Sequence, residues 1–135
     1  MDEYEKYEAE CEKVRAENKK LLDEFEGWLK SSRLSDKTIR THLQNIDFYI
    51  NHYLLYEDVI KPENGAHGVD MFLGYWFIRK AMWASPSTIK SNAASLKKFY
   101  SFLLEKNLID RDDLEDLKES IKEGIPEWIE KAEIY

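Results

Sequence analysis

Two stretches of the sequence open alike. One reads Leu34-Ser35-Asp36-Lys37-Thr38-Ile39-Arg40 and the other Ala84-Ser85-Pro86-Ser87-Thr88-Ile89-Lys90. Each sets a serine where a helix N-cap would stand, then a Thr-Ile pair, then a cation. The free amides, hydroxyls and cations of a helix start suit phosphate groups. Beyond the second start, Ser87, Ser91, Ala94 and Ser95 give the helix a face of small residues, which lets a backbone come close. Lys90, Lys97 and Lys98 flank that face. The same spacing also serves two ordinary capped helices in a bundle, and spacing alone leaves both readings open.

Catalytic patterns are absent. Gly65 and Gly68 have no lysine placed to make a phosphate loop. His42 and His52 are ten residues apart, about 80° out of alignment on an ideal helix, so they do not form a helical metal pair. No serine has the glycine-elbow context of a hydrolase nucleophile. Asp112-Asp113 sits in a charge-rich stretch that reads as a solvated helix. Neither an enzymatic activity nor a cofactor or metal is expected. The one cysteine, Cys11, makes neither an internal disulfide nor a zinc site and fits a reducing cytoplasm.

The elements that would carry these residues read as helices. The chain has 135 residues, the length of one domain, and its 5 Gly and 3 Pro are too few for the turns of a sandwich or barrel. In 3–30, Tyr4, Tyr7, Cys11, Val14, Asn18, Leu21, Phe25 and Trp28 recur at alternating spacings of three and four, a heptad seam. Such a helix either packs on its own domain or pairs with another chain. A second helix is predicted from about Asp36 to Tyr56, with Ile39, Leu43, Ile46, Ile50 and Tyr53 on one face and Phe48 and Leu55 opposite. A loop follows over Lys61 to Gly68. Val69 to Met82 is apolar nearly all round and reads as a short core helix. Ser85-Pro86 opens the next, which buries Ile89, Ala93, Leu96, Tyr100, Leu103 and Leu104 and ends near Asn107. Asp110 caps a helix over Arg111 to Glu123. Gly124 is expected to stop it, and Pro126 to begin a last short turn with Trp128.

Charge is unevenly spread. The net of −7 resolves into −4 over residues 1–30, +3 over 31–106 and −6 over 107–135. The middle alone suits a polyanion. The opening Met1-Asp2-Glu3-Tyr4-Glu5 is acidic, so no signal peptide is expected, and no apolar run approaches a membrane span.

The run Phe25-Glu26-Gly27-Trp28-Leu29, Leu34 to Ile39, Leu43, Ile46 and Phe48-Tyr49, then Val69-Asp70-Met71-Phe72-Leu73, then Ser87-Thr88-Ile89-Lys90 and Ala94 to Leu103, resembles the core-binding domain of tyrosine recombinases, the phage integrase group. The resemblance covers roughly residues 21–109 and rests on the order and spacing of the blocks. It implies an all-α, SAM-like four-helix bundle of orthogonally packed helices, with 1–20 as an N-terminal helical extension and 110–135 as an acidic C-terminal helical segment. It implies double-stranded DNA as the partner. By position, Lys37, Thr38, Arg40, Thr41, Ser87, Thr88, Lys90, Ser91, Asn92, Lys97 and Lys98 become candidate contacts, mostly to phosphate. Asn92 is the candidate base reader, or alternatively satisfies the core. The family's catalytic arginines, His-x-x-Arg and tyrosine have no counterpart here: no histidine is followed by Arg at the third position, and nothing around Tyr135 would activate it. The rival reading is a helical protein-interaction module, pairing with a recombinase or a second copy through the Tyr4–Trp28 seam and the face of Phe48 and Leu55.

Overall fold

A computed structural model describes residues 2–134; Met1 and Tyr135 lie outside them. The chain is all-helical, with no strand among the described residues. It divides into two compact units, one up to Gly65 and one from Ala66 onward. That division falls inside the 21–109 stretch.

In the first unit, helix α1 spans Glu3–Ser31 and helix α2 spans Asp36–Phe48, continued by a π-helical turn over Tyr49–Tyr53. Asp2 caps α1 by accepting from the Glu5 amide at 2.7 Å. Arg33, in the left-handed region at φ 61°, ends its C-terminal turn. Buried Cys11, Val14, Asn18, Phe25 and Leu29 lie three, four or seven residues apart and form one stripe of α1. Of the expected seam, Cys11, Val14, Asn18 and Phe25 are buried, Leu21 and Trp28 half-buried and Tyr4 exposed. Cys11 and Val14 pack with Leu55, flanked by Tyr7 and Val59, and the Tyr7 hydroxyl donates to the Leu55 carbonyl. Asn18 donates to Asn51 Oδ1 at 2.8 Å, and Asn51 in turn donates to Asp47 Oδ1 at 2.7 Å, so the buried amide is satisfied. The π turn is closed by the Leu54 amide donating to the Tyr49 carbonyl, five residues back, at 3.0 Å. The added residue turns both Leu54 and Leu55 inward, each 2% exposed. Leu55 is thus core and not an open back face.

In the second unit, helix α3 covers 69–80, with a π turn over Phe72–Trp76 at its centre. Val69, Phe72, Leu73, Gly74, Phe77 and Ile78 are buried, while Met71 and Tyr75 are exposed, so one side of this core helix faces solvent. Helix α4 spans Pro86–Glu105 and packs along helix α5, Arg111–Ile134. Ser85 and Thr88 cap α4 reciprocally: the Thr88 amide donates to Ser85 Oγ at 3.2 Å and the Ser85 amide to Thr88 Oγ1 at 2.9 Å. Asn107, left-handed at φ 62°, ends it, with the amides of Asn107 and Leu108 donating to the carbonyls of Leu104 and Leu103.

Helix α5 corrects the expected break at Gly124. It runs unbroken through Gly124 and Pro126 to Ile134. The cause is Trp128, 2% exposed, whose ring lies back over the preceding turn. A Cβ on Gly124 would collide with its six-membered ring, and a Cβ on Gly74 would come 2.6 Å from its Nε1. Gly124 is there to make room, not to turn the chain. Burying an indole of roughly 200 Å² is worth about 5 kcal/mol, against about 3 kcal/mol for a proline inside a helix, so continuing the helix wins.

Candidate nucleic-acid interface

The first set of candidate residues lies on the opening turns of α2. Lys37, Thr38, Arg40 and Thr41 are all exposed. The Ser35 hydroxyl accepts from the Thr38 amide and donates to Thr38 Oγ1 at 2.9 Å. Thr41 spends its proton on the Lys37 carbonyl at 3.1 Å. Arg40 borders a cleft of about 350 Å³ that is also lined by Glu26, Lys30 and Asp36. Arg40 therefore shares its cleft with two carboxylates and a lysine, and this patch is electrostatically mixed.

The second set lies on α4. On an ideal helix Ser87, Lys90, Ser91, Ala94, Lys97, Lys98 and Ser101 fall within an arc of about 120° and, from Ser87 to Lys98, a length of roughly 16 Å. Ser87, Lys90 and Lys97 are exposed, and Ser91, Ala94, Lys98 and Ser101 are half-buried. Thr88 donates to the Trp83 carbonyl at 3.0 Å and belongs to the cap. Asn92, 3% exposed, donates to the Thr88 carbonyl at 2.8 Å. Its amide is sealed in the core, so the base-reading role falls and the core-satisfying alternative holds. Ser95 is fully buried and donates to the Ser91 carbonyl at 3.1 Å, which narrows the small-residue face. The stripe that remains is three lysines among small side chains.

The sequence reading missed how far the run without carboxylates extends along the chain. Between Asp70 and Glu105 the chain carries Arg79, Lys80, Lys90, Lys97 and Lys98 and no carboxylate. Taking the charge over 31–106 as one block had averaged this away. Arg79 and Lys80 close α3, where cations complement the helix dipole, and the Arg79 guanidinium lies 4.6 Å from the centre of the Tyr75 ring.

The start of α5 is acidic. Asp110 accepts from the Asp113 amide at 2.8 Å, and Asp113 accepts from the Asp110 amide at 3.2 Å. The His67 ring also donates to Asp113 Oδ1 at 3.0 Å. The His67 hydrogen bond first, and the Asp110 amide second, hold the Asp113 carboxyl below its ordinary range. A lowered carboxyl contributes stability above the ordinary range and loses it as pH falls through the lowered value. In H67A the Asp113 side-chain carbonyl, followed by carbon-13 NMR, should titrate at higher pH. An unchanged midpoint would leave the Asp110 amide as the whole cause.

Among the described residues, no group of three or more His, Cys, Asp or Glu is placed to hold a metal ion, and no helix is long and apolar enough to cross a membrane. No family model matches the chain, and neither a curated protein nor a solved structure matches it.

Proposed function

We propose that this chain is a non-catalytic, cytoplasmic DNA-binding module that holds duplex DNA mainly through its phosphates, in the role of the recombinase core-binding domain it resembles. The observation that carries the reading is the α4 stripe. Exposed Lys90 and Lys97 and half-buried Lys98 stand on one arc with small residues, within a stretch of chain that has five cations and no carboxylate. Lysines among small side chains contact a sugar-phosphate backbone closely and without regard to sequence. The acidic residues of 1–30 and 107–135 weaken long-range attraction, so binding is modest and confined to the positive face. The alternative is pairing with a recombinase or a second copy, for which Tyr4 is exposed and Leu21, Trp28 and Phe48 half-buried, while Leu55 is buried.

The test is a two-dimensional NMR titration of labelled protein with a short random-sequence duplex at low salt. Amide shifts should cluster at 87–98, with a smaller set at 37–41, and vanish as salt is added. Absence of shifts at high duplex concentration would overturn the reading.

A further inference from the structure

Met82 is 98% exposed and Trp83 is 55% exposed, side by side in the turn between α3 and α4. Displaying a whole methionine to water has a cost, and a loose loop would fold it back. This turn is held. The Ala84 amide donates to the Ala81 carbonyl at 3.2 Å, the Trp83 carbonyl accepts from Thr88 Oγ1 at 3.0 Å, and the Trp83 ring stands edge-on to buried Phe77 with centroids 6.4 Å apart. The reciprocal Ser85–Thr88 cap fixes the following residues. An apolar tip is thus presented on a hydrogen-bonded turn. Arg79 and Lys80 precede it, and Ser87 and Lys90 follow it.

We infer that Met82, backed by Trp83, is a wedge that enters between base pairs of the bound duplex and kinks it. The inference rests on the duplex reading and adds what the site does to its ligand. Size favours this occupant. Met82 projects almost whole from the turn, as a single side chain and not a face. The gap opened at an unstacked base step takes a single such side chain. Charge is compatible with it: along the chain the tip lies within the stretch from Met71 to Leu104, which carries five cations and no carboxylate. A wedge also selects sequence without hydrogen bonds, because flexible pyrimidine–purine steps and mismatches open more cheaply than A-tracts.

The experiment uses the full chain and its M82A variant. Met82 touches so little that removing it leaves the fold unchanged. Each protein is titrated into labelled duplexes carrying 2-aminopurine beside either a TA step or an A-tract. Anisotropy reports binding and 2-aminopurine emission reports unstacking. The wild type should bind the TA duplex about tenfold more tightly than the A-tract and raise its emission, since unstacking a step costs a few kcal/mol that depend on the step. M82A should keep A-tract binding within about twofold, as phosphate contacts predict, and lose both the preference and the emission change. Wild-type binding without an emission change or a step preference would overturn the wedge and leave the phosphate reading standing. No binding to any duplex at low salt would overturn both. Met82-dependent binding to phosphatidylserine–phosphatidylcholine vesicles, with none to DNA, would reassign the tip to a membrane surface.

Discussion

K90E/K98E is expected to abolish measurable duplex binding while the helical circular dichroism stays that of the wild type. The double reversal turns a stripe of three positive charges into one with a net negative charge. Two phosphate contacts are lost and two repulsions appear. Each lost contact removes about 0.9 from the slope of log affinity against log salt, so any residual binding should be roughly two units flatter. The fold should survive because Lys90 is exposed and Lys98 half-buried, and among the described residues no ion pair to either is found that reversal would break. Glutamate is also as good a helix former as lysine. Unchanged affinity in an anisotropy titration would remove the α4 stripe from the site, whatever else the protein binds.

The largest stability effect is expected at Trp128. W128A should lose about 3–5 kcal/mol, as large aromatic-to-alanine changes in a core do, because the slot lined by Gly74 and Gly124 has no side chain with which to fill the vacancy. Helix α5 should fray beyond Gly124, since without the indole nothing offsets Pro126. The complementary variant, G124A, has the sharper sign. Helix propensity alone makes Ala the better residue by about 1 kcal/mol. The collision between a Cβ and the buried, immobile ring makes it the worse one. Chemical denaturation decides: a raised midpoint for G124A would mean that the ring does not lie where the structure places it.

Helix starts were legible in the sequence because their chemistry is local. Ser35, Ser85 and Asp110 each cap the helix expected of them. The two π turns were not legible, since a hydrogen bond five residues back has no compositional signature. Their one trace is that Ile50 and the Leu54-Leu55 pair are all buried although no single 3.6-residue stripe holds them. Gly124 was misread because glycine stops a helix only when it is left-handed. The signal for its other use was Trp128, four residues on, where a helical side chain leans back. Ser95 was legible as polar and not as buried, because a polar side chain that bonds the carbonyl four residues back needs no solvent; for Asn92 burial was one of two readings the sequence left open. The candidate site was half legible. Its lysines were evident, but its extent depended on which residues were grouped when charges were added.

Cys11 is the chain's one thiol, and it is 1% exposed beneath Tyr7 and Leu55. A reagent in solution reaches it only when α1 lifts from its seat. Where alkylation outpaces resettling, the rate of modification at Cys11 becomes a clock for the opening of the first unit. The protein thus carries, at a single atom, a native reporter of how often its longest helix lets go.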